Sequence, residues 1–294
     1  MGEQYQLAKS FDVHILRDLR YANESDAQKL DIYFASDRKK PCPVIMWIHP
    51  GGFHHGDKDG SATKCLSVVN MIRLFQPMLE RGYSCVSINY RLAQEAKFPA
   101  LIFDAKAAVR WIKANADKYN FDSRKIIAWG SSAGGYMASM LATTGGIKGL
   151  EDLSLGNPDQ NSEVTAAVDW YGPTHFFHMD DHHRELGQVA DVHSPESPES
   201  KLMGAPVMTI QERCNFASPV THANSFSAPI VIQQGTDDLV IPYPQSIMFA
   251  DKMKSVIGEE NVLFELVEKG EHSDPIFFTL ENITKALDFL DKYL

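Results

Sequence analysis

The feature that most narrows what this chain can fold into is a six-residue turn, Gly130-Ser-Ser-Ala-Gly-Gly135. It separates Lys125-Ile-Ile-Ala-Trp129, apolar and β-prone, from Tyr136-Met-Ala-Ser-Met-Leu-Ala142, a small-residue helical stretch. The pattern predicts a strand, a sharp bend with the spacing Gly-x-Ser-x-Gly, and a helix. A bend this tight brings neighbouring backbone too close for β-carbons, so glycines flank the serine. The serine is then held in a strained conformation with its hydroxyl exposed above the strand end, and the first amides of the helix point at the same spot. Ser132 is therefore the candidate nucleophile.

The rest of the chain supplies strands and helices to surround that turn. Residues 11–21 and 29–35 alternate apolar and polar positions and read as a β-hairpin at a sheet edge. Pro43-Val-Ile-Met-Trp-Ile48 is nearly continuous in apolar residues, as a central strand covered on both faces must be. A helix is expected over 67–81, a strand over 83–90, and a long helix from Pro99 to about Tyr119, with Pro99 in its first turn. A buried strand over 164–171 follows the elbow helix. Later come a strand over 229–234, a helix over 244–257, a strand over 262–268 and a final helix from about Pro275. Strands alternating with helices imply a mostly parallel α/β sheet with right-handed crossovers. Between 174 and 225 the pattern breaks down into short pieces with six histidines and several prolines. A break this long reads as a lid insertion within a single domain spanning 1–294.

Composition removes several classes of function. The chain has 294 residues, within reach of one α/β domain, and 44% hydrophobic with 22% charged residues suits a packed core. A net charge of −10 argues against nucleic-acid or anionic-membrane partners. No apolar run approaches the roughly 20 residues that span a bilayer. The first residues show no basic stretch followed by an apolar one, so no signal peptide is read and a cytoplasmic location is expected. An exported chain that had lost its leader would read the same. Cys42, Cys65, Cys85 and Cys214 are scattered without metal-ligand spacing, and reduced thiols are expected.

A serine hydroxyl needs a base, and the base an orienting acid. In a parallel sheet both belong in loops at the carboxyl ends of later strands. The strand ending at Gln234 runs into Gly235-Thr-Asp-Asp-Leu-Val-Ile-Pro242, which brings Asp237 and Asp238 to that edge. The strand ending near Val267 runs into Glu268-Lys-Gly-Glu-His272, which brings His272 there. Backbone amides for a developing oxyanion would come from Gly51 and Gly52, after the central strand, and from Ala133.

With these residues in view, His49-Pro-Gly-Gly-Phe53 resembles the His-Gly-Gly-Gly oxyanion motif of the hormone-sensitive-lipase-like esterases, and Tyr90-Arg-Leu-Ala-Gln-Glu-Ala-Lys-Phe-Pro-Ala100 is similar to a segment of the same family. Leu30-Asp-Ile-Tyr-Phe34, Gly-x-Ser-Ala-Gly-Gly, Ala217-Ser-Pro-Val-Thr221 and Gly-Thr-x-Asp-x-x-x-Pro resemble the related bacterial feruloyl and acetyl-xylan esterase group still more closely. The resemblance implies the α/β-hydrolase fold and a serine esterase acting on short or aromatic acyl esters, such as acetyl or feruloyl groups on plant-derived sugars, with no cofactor or metal. It implies Ser132, Asp238 and His272 as catalytic residues, since the aspartate four residues before Pro242 falls on the acid position, leaving Asp237 as a solvated carboxylate. Two departures stand out. Pro50 replaces a glycine and has no N–H, and Ser131 replaces the aspartate of the lipase branch. A broad short-chain carboxylesterase, an amidase or peptidase of the same fold, and an inactive hydrolase-fold binding protein remain the alternatives. The expected partner is a small-molecule or oligosaccharide ester, and a homodimer is the one assembly considered.

Other conspicuous residues divide between bland and functional readings. His49 reads as a brace for the oxyanion loop, and Arg91 with Asp104 as an internal ion pair. Trp170 and Tyr171 end a strand beside the elbow and are read as pocket wall, with Phe53, His54 and Ile241 as further substrate neighbours. His55 and Asp57 read as solvated loop. His175, His178, His182 and His183, near Asp180 and Asp181, have one pair at helical i, i+4 spacing but no accompanying glutamate base, so no metal is expected.

Overall fold

The computed structural model describes residues 13–37, 39–61 and 71–294. Its centre is β3 (Cys42–Ile48), whose side chains alternate between two apolar layers: Val44, Met46 and Ile48 enter one, Ile45 and Trp47 the other. Strands β4 (Ser84–Ile88), β5 (Phe121–Ser131), β6 (Ala166–Trp170), β7 (Ile230–Gly235) and β8 (Val262–Val267) join it in parallel, while β1 (Ile15–Arg20) and β2 (Lys29–Tyr33) add an antiparallel edge. The order across the sheet is β1-β2-β4-β3-β5-β6-β7-β8.

Helices cover both faces, as parallel strands buried on both sides require. On one face lie α2 (Ala100–Ala114), α4 (Ala133–Thr143) and α9 (Pro244–Ile257); on the other lie α1 (Met71–Glu80) and α10 (Leu280–Leu290). The expected hairpin is present as β1 and β2, with its register shifted between Leu16 and Leu19, where Asp18 adopts φ 57°. Residues 11, 12 and 67–70 of the expected elements lie outside the described residues.

Strand ends shift by a few residues, and two helix boundaries differ more substantially from expectation. The long helix stops at Ala114 because the Asn115 side chain donates to the Trp111 carbonyl; α3 (Ala116–Tyr119) then ends at Asn120, in the left-handed region. The last helix starts at Leu280 and not near Pro275, since Pro275–Phe278 form a 3-10 turn and Thr279 caps the α-helix by accepting from the Asn282 amide. Between β6 and β7 the chain makes α5 (Met179–Glu185), α6 (Pro198–Met203), α7 (Gln211–Phe216) and α8 (Pro219–His222), none longer than two turns.

Candidate active site

β5 ends at Ser131, α4 begins at Ala133, and Ser132 between them sits at φ 53°, ψ −120°. A side chain in that region is strained and persists only where its surroundings fix it. Here they do. The Ser132 amide donates to the Trp170 carbonyl at 2.8 Å, and α4 is pressed so close to β3 that a β-carbon on Gly134 would lie 2.0 Å from the Ile48 carbonyl oxygen. Asp169 of β6 braces the helix from the side, accepting from Ser139 Oγ at 2.6 Å and from the Gly172 amide at 2.8 Å. Burial pushes its carboxyl up to about 6. Because the neighbour of Gly134 is rigid backbone, Gly134→Ala should cost about 1–3 kcal/mol or more and lower the thermal unfolding midpoint by roughly 5–10 °C. An unchanged midpoint in a melting scan would count against the close packing described here.

Two other loops reach the serine. His272, after β8, holds Nε2 3.1 Å from Ser132 Oγ, and its Nδ1 lies 2.8 Å from Asp238 Oδ2. Asp238 follows β7, and its side chain is fully buried. The loops meet because β7 and β8 are neighbours and Gly235 lets them touch: a β-carbon there would fall 2.1 Å from the Gly270 carbonyl oxygen. The Asp237 amide completes the join by donating to that same carbonyl at 3.0 Å. Asp238 Oδ1 accepts from the Val240 and Ile241 amides, each at 2.8 Å, while Oδ2 also accepts from Gln234 Nε2 at 2.9 Å. A carboxylate oxygen only accepts, so the imidazole hydrogen belongs on Nδ1 and Nε2 is left to accept from the serine hydroxyl. Asp237 points to solvent, with Thr236 Oγ1 3.2 Å from its carboxylate.

The loop after β3 carries the glycines expected as the third component. Pro50 has no amide hydrogen, and Gly51 and Gly52 follow at φ 136° and 55°. The Gly51 carbonyl faces into the loop, accepting from the His54 and His55 amides at 3.0 and 3.1 Å. Since the Ser132 amide is already taken by Trp170, the next amide of the helix start is that of Ala133. His49 is buried under this loop, stacked on Tyr90 with ring centroids 4.4 Å apart, and donates from Nδ1 to the Pro50 carbonyl at 2.8 Å. Burial holds its imidazole down at about 4, so it stays neutral.

The residues expected to wall a pocket divide. Trp170 is a correction: alternate residues of a strand face opposite layers, and it points into the α1/α10 layer. There it meets Trp129 and Trp47 edge-on and donates from Nε1 to Gln233 Oε1 at 2.8 Å. Phe53 is another. Only 2% exposed, it packs edge-on against Tyr136 and Phe176. Ile241 is buried too, and it serves Asp238 through its amide. Tyr171, at φ 46°, lays its ring 5.0 Å from that of His272 and so supports the imidazole. His54 is half-buried, and its carbonyl accepts from Gln94 Nε2 at 2.9 Å. Arg91 and Asp104 form a two-pronged ion pair joined by Glu24, away from these groups.

The histidine-rich stretch is held by Gln245 of α9. Its Oε1 accepts from the Thr174 and His175 amides at 3.0 and 2.7 Å, and its Nε2 donates to His182 Nδ1 at 2.8 Å. Among the described residues no group of three or more His, Cys, Asp or Glu side chains is arranged to hold a metal ion. Burial, then the neighbouring His178, pulls His175 from the ordinary 6.5 down to about 4. A base with a depressed folded-state value gives its full stability above pH 6.5 and loses it as pH falls from there towards 4. His175→Phe should therefore show a shallower fall in unfolding temperature over this window than the unaltered protein, by a few degrees at pH about 4.5. Parallel curves would rule out His175 as a source of acid lability.

A family profile described as BD-FAE matches residues 30–253. The chain belongs to the BD-FAE family. Among curated proteins it is 29% identical over 253 residues to the probable carboxylic ester hydrolase LipM of Mycobacterium tuberculosis, covering 85% of this chain and 54% of LipM. It is 26% identical to esterase LipC of the same organism, covering 88% of this chain and 62% of LipC. This BD-FAE chain thus spans a little over half the length of those relatives. Among solved structures, a truncated carbohydrate esterase from gut microbiota superposes with a TM-score of 0.80 at 28% identity, covering 95% of this chain and 96% of that one. A bifunctional GH43-CE protein of Bacteroides eggerthii gives 0.82 at 29% identity, covering 95% and 35%. The BD-FAE chain accordingly has the α/β-hydrolase fold.

Two contributors went unseen in the sequence. Gln234 anchors Asp238, and Gln188, between β6 and β7, donates to the Asp238 carbonyl at 3.1 Å. A signal existed for the first, since glutamines at 233 and 234 interrupt an otherwise apolar buried strand, and a buried amide needs partners. Nothing in the pattern marks Gln188.

Proposed function

We propose that this chain is a serine carboxylic-ester hydrolase working through an acyl-enzyme. The observation that carries the reading is the unbroken line of hydrogen bonds from Asp238 through His272 to Ser132, ending on a strained serine beside the Gly51–Gly52 loop. Ser132 Oγ attacks the ester carbonyl while its proton passes to His272 Nε2. Asp238 keeps the other imidazole hydrogen on Nδ1 and stabilises the imidazolium that forms. The amides of Gly51, Gly52 and Ala133 receive the tetrahedral oxyanion. His272 then protonates the leaving alcohol, and water, deprotonated by the same imidazole, releases the acid. These steps call on no cofactor. Residues 174–225 act as a cover, with Pro198 seated over Gly52, where an added β-carbon would be 3.8 Å away.

The substrate class we favour is short or aromatic acyl esters on carbohydrate, acetyl and feruloyl esters foremost. Both carbohydrate-esterase likenesses, at 28% and 29% identity, support it. The test is kcat/KM on acetylated xylo-oligosaccharides, methyl ferulate, and p-nitrophenyl acetate and butyrate. One of the first two should exceed the butyrate ester by about tenfold or more, a transition-state preference of at least about 1.4 kcal/mol. Equal values across the panel would mark a broad short-chain carboxylesterase, and hydrolysis of none would end the ester reading.

A further inference from the structure

The loop that carries Gly51 and Gly52 leaves β3 at His49 and returns to the sheet at Lys58. Lys58 is almost buried, with its side chain 8% exposed. Its Nζ lies 2.9 Å from Asp18 Oδ1, 3.2 Å from Asp31 Oδ1 and 3.9 Å from Asp57 Oδ1. Asp31 is fully buried in β2; its Oδ2 takes Arg17 Nη1 at 2.9 Å and its Oδ1 the Asp18 amide at 2.8 Å. The Lys58 backbone is fixed as firmly. Its amide donates to Asn89 Oδ1 at 2.6 Å, its carbonyl accepts from Ser87 Oγ at 2.6 Å, and Asn89 Nδ2 holds Asp57 at 2.9 Å.

Burying a lysine among carboxylates adds little net stability, because desolvation offsets most of the attraction, and replacing the whole charged set by apolar side chains of like volume would serve as well. What the charges do give is one defined position. The segment they anchor needs that, since Gly51, Gly52, Gly56 and Gly60 all adopt positive φ and such a stretch has many alternatives open to it. We propose that Lys58 is a positioning residue of the active site: seated in the Asp18–Asp31 carboxylate pair of the sheet edge, it fixes where the Gly51 and Gly52 amides stand. Its effect on turnover rests on the ester-hydrolase reading above; the clamp itself does not.

The test uses Lys58→Met in the full chain, of similar length without the charge. On p-nitrophenyl acetate kcat should fall by about 10- to 100-fold with KM little changed, because a displaced oxyanion donor acts on the transition state. Affinity for a trifluoromethyl ketone analogue should fall in parallel with kcat/KM. Deuterium uptake by peptides from residues 49–60 should rise while the strand peptides stay as protected as before. Asp18→Asn, at an exposed carboxylate, should move both readouts the same way by a smaller factor, and Lys58→Arg should restore most of the loss. Unchanged uptake in Lys58→Met overturns the clamp whatever the activity does. Uptake rising evenly over the whole chain overturns it in favour of a plain stability role. A raised KM with kcat intact also overturns it, since that pattern marks direct contact with substrate. Absence of esterase activity in the unaltered protein would sink the hydrolase reading and leave the uptake comparison to decide the clamp.

Discussion

Ser132→Ala is expected to lower kcat on p-nitrophenyl acetate by about 10⁴- to 10⁶-fold, and to abolish labelling by a fluorophosphonate probe. The substitution removes one oxygen, the atom 3.1 Å from His272 Nε2, and keeps the β-carbon, so the strained turn and its glycine contacts persist. Unfolding temperature should stay close to that of the unaltered protein. Whatever rate remains belongs to the oxyanion amides acting on an attacking water. Labelling that survived the change would assign the reactive hydroxyl elsewhere.

The second large effect separates two adjacent carboxylates. Asp238→Asn should cost about 10⁴-fold in kcat, whereas Asp237→Asn should stay within about threefold of the unaltered protein. An amide at 238 can present an NH₂ to Nδ1 and force the imidazole hydrogen onto Nε2, where it can no longer accept from the serine. In the other rotamer, that NH₂ would face the Val240 and Ile241 amides, two donors against a donor. Asp237 stands in solvent, with the Thr236 hydroxyl beside it. The reverse ranking in steady-state kinetics would move the acid to 237.

Much of this arrangement can be read from the residues before any coordinates, and the reason is local. The apolar run Cys42–Ile48 can only be a strand covered on both sides, and the glycines about Ser132 can only serve a close crossing. The loops bearing Asp238 and His272 follow strands whose ends are marked by turn chemistry. What escapes is whatever depends on which layer a side chain enters. Trp170 and Phe53 lie beside the site in sequence yet point into packed aromatic clusters: a strand apolar on both faces carries no sign of which face Trp170 takes, and Phe53 sits in a turn whose path periodicity does not give. Asn115 divides a helix that periodicity alone would continue, by bonding back to Trp111. Lys58 is invisible for another reason: its partners Asp18 and Asp31 lie on β1 and β2, far away in sequence, and a lone lysine in a polar loop looks like solvated surface.

On the proposed ester-hydrolase reading, the contact between Gly235 and Gly270 has a bearing on how the family diversifies. It laces the loops of Asp238 and His272 to each other and to adjoining strands, so the proposed acid and base belong to the frame and not to the short helices between β6 and β7. Grafting residues 174–225 from one relative onto another, with Gln188 kept so that the Asp238 carbonyl retains its donor, should then change which esters are taken while leaving the turnover number little altered. Diet and metabolism, in such a molecule, are inherited from different parents.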